Sequence, residues 1–264
     1  MGIETAVLPL AGAGTRMFPE TTAIEKSMMP VYAGDKARPL VDFMVEACAL
    51  AGLQRVIFVC SKRGEAQLRD FFEPGLNPNL QAQLVRLGKT GLMFEELDRR
   101  QAYGLTYEYI TQPPHPYGTA VPTSLAKSHL AGEDAFVQMG GDDFVYRTDD
   151  TSELKLMIDA WKDSGADHAL MGNPVVREAA PRYGILKVGE DNILLDFDEK
   201  PPLERVPQQP LANISQYLFS SALWPFIDAE LANPRQEQEH YINKAKNKGL
   251  LRSPLWRFPQ PRIF

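Results

Sequence analysis

Cysteine is nearly absent from this chain: Cys48 and Cys60 are the only two among 264 residues. Both stand in apolar surroundings, so reduced core thiols are expected rather than a disulfide. Histidine is scarce as well, and His115, His129, His168 and His240 show no metal-ligand spacing. They are expected at the surface or as satisfied core residues. No apolar run approaches the ~20 residues that span a bilayer, and the N-terminus carries no signal-peptide h-region. A cytoplasmic protein that makes no membrane contact is the expectation. Positive charge is in deficit, with 28 Lys and Arg against 34 Asp and Glu and a net charge of −6. That balance argues against a nucleic-acid groove, which shows a basic stripe. An anionic substrate would therefore have to meet local cations. There are no internal repeats, and no Ser-His-Asp set is suggested.

What the chain does contain is an alternation of short apolar segments with amphipathic ones. Residues 6–10, 55–60, 105–110, 135–139 and 168–171 read as strands. Residues 39–51, 65–72, 119–130 and 153–164 read as helices between them. Such alternation implies βαβ units with right-handed crossovers, hence an α/β fold with a doubly wound, mostly parallel, Rossmann-like sheet. At 264 residues, 44% of them hydrophobic, the chain fits one large domain with a substantial core. After Gly172 the pattern changes. Residues 183–188 and 193–197 predict a hairpin around Gly189-Glu190-Asp191-Asn192, a proline-rich loop follows over 201–210, and residues 214–219 resume strand character. A small β-rich insertion over about 173–217 is expected to close one side of a cleft; residues 223–231 read as a further helix.

Ligands of open α/β sheets gather outside the carboxyl ends of the strands. The first strand ends in Leu10-Ala11-Gly12-Ala13-Gly14-Thr15-Arg16-Met17, with Lys26 ten residues beyond Arg16. Two glycines there let the backbone N–H groups of Ala11, Gly12, Gly14 and Thr15 approach a phosphate chain, and Arg16 and Lys26 add positive charge. Met17 stands where a dinucleotide fingerprint needs its third small residue, and no Gly-Lys-Ser/Thr closes the run as in a P-loop. An NAD-dependent oxidoreductase is disfavoured for that reason, and because Cys60-Ser61-Lys62 offers no acidic residue after the second strand. By itself a G-x-G run serves equally well as a strand-to-helix turn. Asp142, after the strand at 135–139, is placed to ligate a hard cation or to cap the strand end.

Residues 11–31, AGAGTRMFPETTAIEKSMMPV, resemble the signature of the sugar-phosphate nucleotidyltransferases. Within that superfamily they are most similar to the bacterial UTP:glucose-1-phosphate uridylyltransferases, with G-L-G-T-R-M-x-P-x-T-K-A-I-P-K-x-M-x-P. The sequence departs from the pattern at Thr22, where that family has Lys, at Glu25, where it has Pro, and over 33–38, which looks like a small insertion. The resemblance implies a single nucleotidyltransferase domain over 1–264, whose β-rich insertion binds the sugar. It implies that UTP and glucose 1-phosphate are joined to UDP-glucose with release of pyrophosphate, with Mg²⁺ as cofactor. Arg16 would hold the leaving pyrophosphate and Lys26 the nucleotide phosphates. Gly140-Gly141-Asp142-Asp143 resembles the element whose first Asp holds the metal. Gln112 and Gly118 are similar to the segment that reads the base. Phe197-Asp198-Glu199-Lys200-Pro201 resembles V-E-K-P, with Glu199 on the sugar and Lys200 on its attacking phosphate, in register with Tyr183-Gly184 at the sugar pocket. Ser215 replaces a glycine of the family, and Lys244 stands where an Asp is expected. These departures motivate the alternative of a catalytically weak or inactive regulatory paralogue. Oligomeric state is left open, with a homo-oligomer among the alternatives.

Overall fold

The computed structural model describes residues 2–33, 36–73, 77–141, 144–145, 151–189, 192–232 and 255–257. Its strands are β1 (Thr5–Pro9), β2 (Pro30–Ala33), β3 (Lys36–Pro39), β4 (Arg55–Cys60), β5 (Thr106–Thr111), β6 (Ala135–Met139), β7 (His168–Pro174), β8 (Gly184–Val188), β9 (Leu194–Glu199), β10 (Leu211–Ser220) and β11 (Leu255–Arg257). Its α-helices are α1 (Leu40–Leu50), α2 (Lys62–Phe72), α3 (Pro78–Arg86), α4 (Thr90–Gln101), α5 (Ala120–Ala126), α6 (Glu153–Ser164) and α7 (Trp224–Leu231).

The main sheet has the order β11-β7-β10-β6-β1-β4-β5, with β8 added to β10 and β9 to β8. Strands β6, β1, β4 and β5 are parallel neighbours, as the βαβ pattern predicts. Side-chain alternation assigns their two faces. Ala6, Leu8, Val56, Phe58 and Cys60 join a core with α1, α2 and α6. Val7, Ile57 and Val59 join a second core with α5 and α7. Burial on both faces explains why these strands read as continuous apolar runs. A side chain such as Phe58, fully buried, contributes about 1.5–3 kcal/mol.

Strand β10 is the departure from a parallel sheet. It lies between β6 and β7 and runs antiparallel to both. Its first residues, Leu211 and Ala212, also pair with β8, so the β8–β9 hairpin extends the same sheet. Of the stretch read as an insertion, Ala33 ends β2 and residues 36–38 belong to β3, and the two strands pair antiparallel. Helices α3 and α4 stand where no helix was expected. Helix α4 is tied down by Arg99, whose Nη2 lies 2.7 Å from Oδ2 of the fully buried Asp42 on α1. At the N-terminal ends of the strands, Arg55 joins Glu108, Glu133 and Thr5. The opposite ends are left for the loops. Cys48 and Cys60 are free, buried thiols, and burial pushes each up to about 12. His168 is a satisfied core residue whose Nδ1 accepts the Ser220 N–H at 3.1 Å. Among the described residues, no helix is long and apolar enough to cross a membrane.

Candidate functional site

Strand β1 delivers the glycine loop to the carboxyl end of the sheet, where the Leu10 N–H still donates to the Val59 carbonyl at 2.7 Å. Gly14 then turns with φ +61°, a conformation that costs a side-chain-bearing residue about 1–2 kcal/mol. A Cβ on Gly14 would sit 2.7 Å from Thr21 Cγ2 and 3.3 Å from Lys26 Cβ, so the loop and the Lys26 segment are in direct contact. Lys26 begins a single 3₁₀ turn over Lys26–Met28. Strand β5 ends at Thr111, and the next residue, Gln112, donates its N–H to the Cys60 carbonyl. Gly118, with φ +110°, bends the chain into α5.

On the other side, β8 and β9 pair Gly184 directly with Glu199. Lys200 follows with φ +47°, held by its N–H to the Tyr183 carbonyl at 3.1 Å. A lysine in the left-handed region is a strained residue kept by its surroundings, a feature that clusters at functional sites.

These loops surround one cleft of about 1480 Å³. Ala11, Gly12, Arg16, Lys26, Gln112, Gly118, Gly184, Glu199 and Lys200 all line it. Gly14 and Thr15 are not among its lining residues; Gly14 packs beneath Thr21, and Thr15 opens the 3₁₀ turn Thr15–Met17. Asp142 and Lys244 lie outside the described residues. Gly140 and Gly141, which lead to Asp142, do line the cleft, and a Cβ on Gly141 would meet the Pro9 carbonyl oxygen at 2.6 Å. Among the described residues, no group of three or more His, Cys, Asp or Glu is arranged to hold a metal ion.

The electrostatics of the wall run against those of the chain. Arg16, Lys26, Lys62, Arg182 and Lys200 line the cleft against the carboxylates Asp198 and Glu199, although the whole chain carries −6. Converging cations favour phosphate groups, and a concave wall concentrates their field.

A model of the nucleotidyl transferase family matches residues 5–253. The chain belongs to that family. It is 30% identical over 234 residues to a UTP--glucose-1-phosphate uridylyltransferase of Haemophilus influenzae, covering 84% of this chain and 75% of the relative. The protein of the same name from Bacillus subtilis is 28% identical over 233 residues, covering 86% and 74%. Among solved structures, a UDP-glucose pyrophosphorylase complexed with UDP-glucose superposes with a TM-score of 0.74 at 23% identity, over 94% of this chain and 86% of that one. A UTP-bound UGPase from Acinetobacter baumannii gives 0.79 at 23% identity, over 98% and 87%. These two similarities establish the fold: a central, largely parallel sheet with added antiparallel strands. The resemblance carried by residues 11–31 thus extends over most of the chain.

Several wall residues escaped the sequence reading, and Ser215 entered it only as a replacement for a glycine of the family. Asn213, Ser215 and Tyr217 share one face of β10 by its two-residue period, and Asn213 Nδ2 donates to the Tyr217 hydroxyl at 2.6 Å. Polar residues at two of these alternate positions were the available signal. Gln138 offered none: it is buried in β6 and accepts from the Thr123 hydroxyl at 2.7 Å. Lys62 and Arg182 carry no local signal of a site, and only the fold brings them to the cleft.

Proposed function

We propose that the cleft joins UTP to glucose 1-phosphate, giving UDP-glucose and pyrophosphate. The observation that carries this reading is the arrival of cations at one cleft from two independent elements. Arg16 and Lys26 come from the glycine loop and its neighbour, and Lys200 from the end of β9. A phosphate oxygen of the sugar phosphate attacks the α-phosphorus of the nucleotide. The bond from that phosphorus to the bridging oxygen breaks, and pyrophosphate leaves with the electron pair. Such a transfer needs positioning and charge neutralisation rather than a protein nucleophile.

In this reading Arg16 draws the leaving pyrophosphate, Lys26 holds the nucleotide phosphates, and backbone N–H groups of Ala11 and Gly12 approach them, while Gly14 and Thr15 shape the loop from outside the cleft wall. Gln112 and Gly118 face the base. Gly184 and Glu199 bind the sugar, Glu199 by accepting its hydroxyls, and Lys200 orients its phosphate. Asp142, following the cleft-lining Gly140 and Gly141, is the residue that would hold Mg²⁺, which supplies charge neutralisation between phosphates when bound. The chain acts as one domain, with the insertion over about 173–217 binding the sugar. The names of the relatives support the choice of UTP and glucose 1-phosphate.

The test is pyrophosphate release measured across pairs of nucleoside triphosphates and hexose 1-phosphates. Lys26→Ala and Arg16→Ala are each expected to lower kcat/KM by about 10² or more, the effect of removing ~3 kcal/mol of charge stabilisation. Near-normal release from both variants would overturn the assignment, as would a wild type that binds UTP but turns over no hexose 1-phosphate.

A further inference from the structure

Glu25, the residue before Lys26, is a carboxylate only 7% exposed. A buried anion beside a phosphate-binding lysine would compete with the substrate for that lysine, and leaving it unpaired would be costly. Here it has partners on α2. Oε1 of Glu25 accepts from the Ser61 hydroxyl at 2.8 Å and from Arg63 Nε at 2.9 Å. The same guanidinium donates through Nη1 to the Thr22 carbonyl at 3.1 Å and through Nη2 to the Thr21 carbonyl at 2.9 Å. Gln67 Oε1 accepts the Glu25 N–H at 3.2 Å. One planar fork therefore grips three points of the segment that presents Lys26, a geometry lysine does not reproduce. The segment in turn meets the glycine loop, because Thr21 Cγ2 fills the space where a Gly14 Cβ would stand.

The backbone of Glu25 adds a second observation. Its φ of −66° is the angle a proline ring would impose, and its ψ of 144° is extended and open to proline. The polar clamp thus holds by hydrogen bonds a conformation that a ring could hold covalently.

We infer that Arg63, with Glu25, is a positioning residue for Lys26: it neutralises the neighbouring carboxylate and fixes the backbone from which Lys26 reaches the nucleotide. This rests on the proposed role of Lys26. Arg63 makes these bonds from a half-exposed position, so its removal leaves the core intact.

The experiment is a double-mutant cycle on the full chain, reading kcat/KM for pyrophosphate release and the UTP dissociation constant by calorimetry. Arg63→Ala is expected to lower kcat/KM about tenfold, in keeping with the sensitivity of transfer steps to sub-ångström placement. In a Lys26→Ala background the same change should cost less than about twofold, since there is no lysine left to place. Adding Glu25→Pro to Arg63→Ala should return kcat/KM to within about threefold of wild type, because the ring fixes φ in place of the lost Gln67 bond and removes the carboxylate left without its cation. A tenfold loss in both backgrounds would show that Arg63 does not act through Lys26 and would overturn the inference. So would an Arg63→Ala variant with wild-type kinetics, or a folded Glu25→Pro/Arg63→Ala protein that recovers nothing. If Lys26→Ala alone is without effect, the proposed function itself fails, and that outcome is separate from the others.

Discussion

Gly184 offers a sharp test of how the two walls of the cleft divide their work. It is buried at the start of β8, opposite Glu199, and its backbone lies outside the left-handed region, so alanine is permitted there by its dihedral angles. The obstacle is space. A Cβ would sit 2.3 Å from Phe197 Cζ, 2.9 Å from Phe197 Cε2 and 2.9 Å from Glu199 Oε2. Carbon atoms pack at about 3.5–4.0 Å, so the ring tip has to retreat by more than ~1 Å and the carboxylate has to move with it. Overpacking of this kind costs about 1–3 kcal/mol in stability. A displacement of ~1 Å at a positioning group costs up to 10² in rate. Gly184→Ala should therefore lower kcat/KM for glucose 1-phosphate by about 30–100-fold, or ~2–3 kcal/mol. UTP affinity should hold within about twofold, because in the proposed reading its phosphates meet Arg16 and Lys26 on a different loop. Steady-state pyrophosphate release at saturating UTP, paired with calorimetric UTP titration, measures both. Phe197→Leu in the Gly184→Ala background should recover much of the loss by vacating the space. Equal losses for the two ligands, or full activity toward the sugar phosphate, would refute the reasoning.

Two further outcomes follow from single residues. Ser215 adopts φ +54° between tightly packed neighbours, and its carbonyl accepts the Gly140 N–H at 2.6 Å. Relief of about 1–2 kcal/mol of left-handed strain, less ~0.5–1 kcal/mol for the freer unfolded chain, predicts that Ser215→Gly stabilises the protein by up to about 1 kcal/mol. A urea midpoint that stays put or falls would contradict this. His168 is pulled down to about 4 by burial, so it stays neutral in the fold while the unfolded chain takes up a proton below about pH 6.5. Stability should then fall by up to about 3 kcal/mol as pH drops from 6.5 toward 4. A His168→Phe variant should lose that portion of the slope, and an unchanged slope would assign it to other groups.

The parts of the fold legible in the sequence are those whose burial leaves a local trace. Strands β4 and β6 and helix α6 match their predicted limits, since each is an apolar or amphipathic run with clear stops; Ser152 caps α6 through the Lys155 N–H, and Gly165 ends it with φ +65°. Helices α3 and α4 left little trace because almost nothing on them is buried. Only Met93 and Arg100 are, while Leu80, Val85, Leu87, Leu92 and Phe94 stay exposed. The direction of β10 was equally hidden, because a strand's polarity is set by distant neighbours and not by its own residues. The site divides along the same line. Cleft-lining residues in short contiguous motifs, such as Gly12 and Lys200, could be read directly. Residues that converge from separate strands, such as Gln138 and Asn213, could not. Neither Asp142 nor Lys244 falls within the described residues.

Strand β10 also has a mechanical consequence. Its two ends are clamped in different places, Leu211 and Ala212 against the hairpin that carries Gly184, and the stretch from Gln216 to Ser220 against the strand that leads to Gly140. The pairing with β7 shifts register between Asn213 and Tyr217, and the Asn213–Tyr217 hydrogen bond spans that shift. One continuous backbone thus joins the wall that carries Gly184 to the wall that carries Gly140, with β7 paired to it on both sides of the register shift. A displacement of one wall is therefore carried to the other along β10, and the left-handed Ser215 is the irregular point between them.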